Sequence, residues 1–142
     1  MITTNRMSSD SHQTCLDGRV AMEKGLALAI ASSRNHASLV ELTHDLGISD
    51  VISYLIGADD VKKAKPDPEP VLNVLEALGY KANQTLVVGD MDVDILMGVH
   101  AGTKTCGVTY GNGTRKELAE AGADYVIDCI GELIGIVEKN EQ

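Results

Sequence analysis

From about Gly25 onward, short runs of β-favouring apolar residues alternate with stretches whose apolar residues recur at helical spacing, and the links between them are short. Leu26 to Ile30 reads as a buried strand. A helix follows from about Asn35, with Leu39, Leu42 and Leu46 on one face and Gly47 placed to end it. Val51 to Ile56 fits more than one state, and a strand is placed near Tyr54 to Gly57. Pro68 to Leu78 reads as a helix stopped by Gly79, Thr85 to Val88 as a strand, and Asp92 to Ala101 as a helix closed by Gly102. Thr105 to Thr109 is a strand, and Thr114 to Glu117 is a capping box opening a short helix that stops at Gly122. Asp124 to Ile127 and Ile130 to Val137 complete the series as strand and helix. Connections this short permit only right-handed crossovers, so the pattern predicts an α/β fold: a parallel sheet with helices on both faces.

In such a sheet, ligands collect where strands end at their carboxyl side. Ser32 and Ser33 follow the first strand; their hydroxyls fit an anion site at the next helix start, or a simple helix cap. Lys65 lies between strand and helix in Lys65-Pro66-Asp67-Pro68, where the proline favours an extended lysine. It fits either a cation for phosphate or a solvated basic loop. Asp59 and Asp60 read as solvated loop carboxylates. After the strand Thr85 to Val88 come Gly89-Asp90-Met91-Asp92-Val93-Asp94. Asp90 at the strand end and Asp94 one turn into the helix converge on one point, and two hard oxygen donors plus waters suit Mg²⁺. Asp92 reads as the helix cap, and ordinary acidic capping would account for all three. Gly111-Asn112-Gly113 reads first as a turn and second as a pocket wall. His36, His44 and His100 have no partners at ligand spacing.

Composition narrows the choice. At 142 residues the chain fits one domain, and with 44% hydrophobic residues but no Trp or Phe its core must be aliphatic. A formal net charge of −9 argues against nucleic acid and anionic membrane surfaces as partners, and obliges a phosphate site to carry a local cation. No apolar run approaches membrane-spanning length, and Met1 to Ser11 is too polar for a signal peptide. Cys15, Cys106 and Cys129 are odd in number and lack metal-ligand spacing, which fits reduced thiols in the cytoplasm.

Taken in order, Leu28-Ala-Ile-Ala-Ser32-Ser33, Lys65-Pro66-Asp67-Pro68 and Val87-Val88-Gly89-Asp90-Met-Asp-Val-Asp94 resemble the second, third and fourth motifs of the haloacid dehalogenase (HAD) superfamily. Ala101-Gly102 and the Gly-Val-Thr-Tyr-Gly run at 107–111 resemble its phosphoglycolate phosphatase and β-phosphoglucomutase branch. The resemblance covers roughly Gly25 to Val137 and implies a three-layer Rossmann-like core. It implies that Ser32, with Ser33, binds the transferring phosphoryl group and that Lys65 balances charge on phosphate and nucleophile. Asp90 would bind Mg²⁺ directly, and Asp94 would hold or orient it.

The family's opening motif, Asp-x-Asp-Gly-Thr after an apolar strand, has no match here. The nearest string, Cys15-Leu16-Asp17-Gly18-Arg19-Val20, follows a polar stretch, and residues 18–31 are too few for a strand end, a loop and a crossover helix. It reads instead as a shortened connection from cap to core, which makes residues 1–24 a polar N-terminal segment and 25–142 a partial HAD-like core. Missing would be the first central strand, the cap and the nucleophile. The sheet edges beside that strand would then close on each other, take a strand from another chain, or weaken the domain. The expected function is a Mg²⁺-dependent phosphatase of small phosphorylated metabolites, nearly inert as this chain alone. The alternative is a non-catalytic remnant that binds phosphate or metal. Cys15 as a substitute nucleophile is a weaker third reading, and self-association through open sheet edges is a further expectation.

Overall fold

The structure, a computed structural model, describes residues 26–128 together with Glu132 and Ile136. The polar N-terminal segment, the string from Cys15 to Val20 and most of the last expected helix lie outside the described residues. The described chain runs β1 (Ala29–Ala31), α1 (His36–Asp45), β2 (Tyr54–Ile56), a 3₁₀ turn (Ala58–Asp60), α2 (Glu69–Leu78), a second 3₁₀ turn (Ala82–Gln84), β3 (Leu86–Gly89), α3 (Asp92–Ala101), β4 (Lys104–Val108), α4 (Arg115–Glu120) and β5 (Tyr125–Ile127).

Among the described residues all paired strands are parallel, but they form two sheets rather than one. β1 pairs with β2 in the register Ile30 to Leu55, and β3–β4–β5 form the other sheet with Val88 opposite Cys106. Among the described residues β1 and β3 are not hydrogen-bonded neighbours, so the two edges do not close directly on each other.

What joins the sheets is α2. Alternate strand residues face opposite ways, so Leu28 and Ile30 pack on Leu39 of α1, while Ala29 and Ala31 pack with Ile56 on Val74 of α2. On the same helix, Val71 and Leu75 reach across to Val87 of β3 and Met97 of α3. Burying each such aliphatic side chain contributes about 1.5–3 kcal/mol, so one helix face holds both sheets. Val88, Cys106, Val108 and Ile127 form the opposite face with Ile136 against it, giving three layers. Burial and the charge of Glu132 push the Cys106 thiol up to about 12, which makes it a packing group rather than a nucleophile. No helix among the described residues is long and apolar enough to cross a membrane.

Helix ends follow the glycine signals. Gly47, Gly79, Gly102 and Gly122 all have positive φ, where a side chain would be strained. The starts differ from expectation in two places. Asn35, not Ser32 or Ser33, caps α1 by accepting from the Ser38 N–H at 2.8 Å. Met91 is the cap residue of α3, and Asp94 rather than Asp92 accepts its N–H, at 3.2 Å.

Asp59 and Asp60 are exposed but not merely solvated. The His36 N–H donates to Asp59 at 2.7 Å, the Gly57 N–H donates to Asp60 at 2.7 Å, and the His36 ring Nδ1 lies 2.6 Å from the same Asp60 oxygen. The Gly57 amide, helped by His36 and opposed by burial, holds the Asp60 carboxyl below its ordinary 3.8. The unfolded chain therefore takes up that proton first as pH falls. The contribution is complete above the ordinary carboxylate value and is lost as pH falls through the lower folded one. Asp60→Asn is expected to flatten the stability of the chain between about pH 5 and pH 3, measured by urea unfolding at successive pH. Equal slopes in the two chains would contradict this.

Candidate phosphate and cation site

β1 ends at Ala31, and the next residue, Ser32, is held by its own N–H donating to the Ile56 carbonyl at 2.9 Å. Its Oγ accepts the Arg34 N–H at 3.1 Å, so the hydroxyl orders the turn into α1 without capping it. Ser32 is buried, and Ser33 beside it is exposed. Both line a small cleft of about 50 Å³ together with Lys65.

Lys65 brings the two sheets to one place. Its ammonium donates to the Ala31 carbonyl at 3.1 Å, at the end of β1, and to Asp94 Oδ1 at 2.6 Å, one turn beyond β3. The lysine side chain is 7% exposed and that of Asp94 0%. The solvated-loop reading of Lys65 therefore fails. The Lys65–Pro66 peptide is cis. Burial lowers the lysine's proton affinity, against the pull of the Asp94 and Asp90 carboxylates. Burial likewise raises that of Asp94, which Lys65 opposes and Asp90 reinforces. Gly89 makes this approach possible: a Cβ there would stand 2.1 Å from that of Asp94.

Asp90 is 2% exposed. Its Oδ2 accepts the Asn112 N–H at 3.0 Å, and its backbone carbonyl accepts the Gly113 N–H at 2.7 Å. Asp90 Oδ1 is the one buried side-chain nitrogen or oxygen, among the described residues, without a hydrogen-bond partner. A buried carboxylate oxygen left without a partner is costly, and a cation would satisfy it. No cluster of three or more His, Cys, Asp or Glu able to hold a metal occurs among the described residues. Mg²⁺ does not require one, because it is held through one or two carboxylates with water and substrate phosphate completing its shell. The donor set fits that ion better than zinc or calcium.

Ser32, Lys65, Asp90 and Asp94 thus occupy one neighbourhood, chained by Ala31–Lys65 and Lys65–Asp94. The role of Gly111-Asn112-Gly113 was not legible locally: it is a turn, but it also grips Asp90. His100 sits apart from this chain of contacts, its Nδ1 2.9 Å from the Pro66 carbonyl. A wider cleft of about 690 Å³ along β2 is lined by His36, Tyr54 and Glu76 among others, and by none of these four residues.

A family model described as haloacid dehalogenase-like hydrolase matches residues 20–108. The chain is 36% identical over 120 residues to pyrophosphatase PpaX of Anoxybacillus flavithermus, a match covering 81% of this chain and 54% of that protein. It is 32% identical over 115 residues to phosphoglycolate phosphatase of Pectobacterium atrosepticum, covering 81% and 49%. The chain therefore spans about half the length of the curated relatives it matches. Its fold is like that of a HAD-superfamily hydrolase of subfamily IA from Geobacter sulfurreducens, with TM-score 0.73, 23% identity, and coverage of 88% of this chain and 55% of the other.

Proposed function

This chain belongs to the haloacid dehalogenase-like hydrolase family, and on that premise we propose that its rim receives the phosphoryl group of a small phosphorylated metabolite beside Mg²⁺. The single observation carrying the reading is the buried Lys65–Asp94 contact at 2.6 Å next to the unsatisfied Asp90 Oδ1. Ser32 and Ser33 supply hydroxyl donors to the phosphoryl oxygens, and Lys65 supplies a local positive charge in a chain whose net charge is −9. Asp90 holds the cation, and Asp94 orients both lysine and cation. Held by Asp90, Mg²⁺ would neutralise charge on the phosphoryl group. The relatives named pyrophosphatase and phosphoglycolate phosphatase support a phosphate ester or anhydride of low mass as ligand.

Within these 142 residues no Asp-x-Asp-Gly-Thr string supplies an attacking carboxylate. Loss of a covalent nucleophile costs on the order of 10⁴–10⁶ in rate. Hydrolysis of a generic aryl phosphate by the chain with Mg²⁺ is therefore expected to stay near that of its Asp90→Asn variant. Substantial turnover abolished by that substitution would mean the chain carries its own nucleophile. The second reading, a phosphate- and cation-binding module without catalysis, is favoured by the same missing string.

A further inference from the structure

We propose that the loop Gly111-Asn112-Gly113 is a positioning device that presets Asp90, committing one carboxylate oxygen to the protein and reserving the other for a cation. The proposal rests on the reading of Asp90 as a cation ligand and adds residues to it from an element 22 positions away in sequence.

The loop holds Asp90 at two points. The Asn112 N–H takes Oδ2, and the Gly113 N–H takes the backbone carbonyl. Both donors are main-chain groups, so their grip depends on backbone approach rather than on side-chain chemistry. That approach needs glycine for space. A Cβ on Gly111 would stand 2.2 Å from Asp90 Cβ and 2.4 Å from Oδ2, and one on Gly113 would stand 2.5 Å from the Asp90 carbonyl oxygen. Neither glycine has positive φ, so the requirement is steric and not conformational. With Oδ2 engaged and the loop against its flank, the carboxylate has little room to turn. Oδ1 is left without a partner although buried. A ligand oxygen fixed before the ion arrives loses less freedom on binding, and groups that hold a ligand in place typically matter 10–100-fold for metal affinity.

The test is Mn²⁺ binding to the full chain, followed by loss of the free-ion electron paramagnetic resonance signal and counted per folded molecule. Gly111→Ala is expected to weaken binding roughly 10–100-fold. Gly107→Ala is the control: the three atoms nearest its Cβ would all belong to the Leu118 side chain, from 2.9 Å, so it is expected to lose stability and keep wild-type affinity. Wild-type affinity in Gly111→Ala, while Asp90→Asn binds no ion, overturns the positioning role and leaves Asp90 as a ligand. A wild-type chain that binds no Mn²⁺ overturns the ligand reading and this inference with it. Should Gly111→Ala fail to fold, amide exchange in the wild-type chain decides. The Asn112 N–H is expected to be protected before Mg²⁺ is added, and to shift on addition. Exchange at the rate of an open loop until Mg²⁺ is present overturns the proposal.

Discussion

Replacing Lys65 by Met is expected to cost the folded chain about 3–5 kcal/mol. The change strips Asp94, 0% exposed, of the ammonium 2.6 Å from its Oδ1. A carboxylate so deeply placed must then either stay charged in a poor dielectric or take up a proton. It also removes the hydrogen bond to the Ala31 carbonyl, one of the contacts tying β1 to the β3 side of the molecule. Domains of this size hold about 5–15 kcal/mol in total, so the variant should unfold at a far lower urea concentration. The double variant Lys65→Met, Asp94→Asn should recover part of the loss, because it no longer leaves an unpaired charge buried. The asparagine oxygen can still accept the Met91 N–H. A single variant as stable as wild type would mean that the pair does not form.

The second large effect is a gain. Joining to this chain a segment that carries the family's Asp-x-Asp-Gly-Thr strand is expected to raise Mg²⁺-dependent aryl phosphate hydrolysis by about 10⁴-fold or more. Among the described residues the two sheets are not hydrogen-bonded to each other, and the strand is expected to pair between them. β1 and β3, whose ends carry Ser32 and Asp90, belong to different sheets, bridged from one face by α2. The gain should vanish when the supplied first aspartate is changed to Asn, and again in Asp90→Asn. A folded fusion that stays inert would favour the non-catalytic module.

The order of elements was legible because each helix carries its own stop. Gly47, Gly79, Gly102 and Gly122 lie in the left-handed region, which local sequence encodes directly. α3 matches its expected bounds, Asp92–Ala101, for that reason. Strand ends were less legible because pairing sets them. Leu26 and Ala27 are apolar enough for a strand, yet the ladder begins at Ala29, opposite Tyr54.

At the site, Ser32, Lys65, Asp90 and Asp94 became candidates by the order of their motifs rather than by residue type alone, and the structure brings them into one neighbourhood. Their neighbours were harder to read, because each depends on contacts distant in sequence. Asp59 and Asp60 looked solvated since nothing local reveals that the start of α1, 23–24 residues earlier, would turn its His36 toward them. Asp92 looked like the cap because it stands first. A carboxylate three residues into a helix can serve the same amide, and Asp94 does. Gly111 and Gly113 looked like turn glycines, and their closeness to Asp90 appears only once β3 and β4 lie side by side.

The central claim is that one neighbourhood holds a phosphoryl dianion and a divalent cation together. Calorimetric titration of inorganic phosphate into the chain, with and without Mg²⁺, tests it most directly. Binding should be at least about tenfold tighter with Mg²⁺, as two ligands of opposite charge sharing a site require, and that difference should disappear in Asp90→Asn. Phosphate affinity indifferent to both Mg²⁺ and Asp90, or no binding at all, would contradict the account.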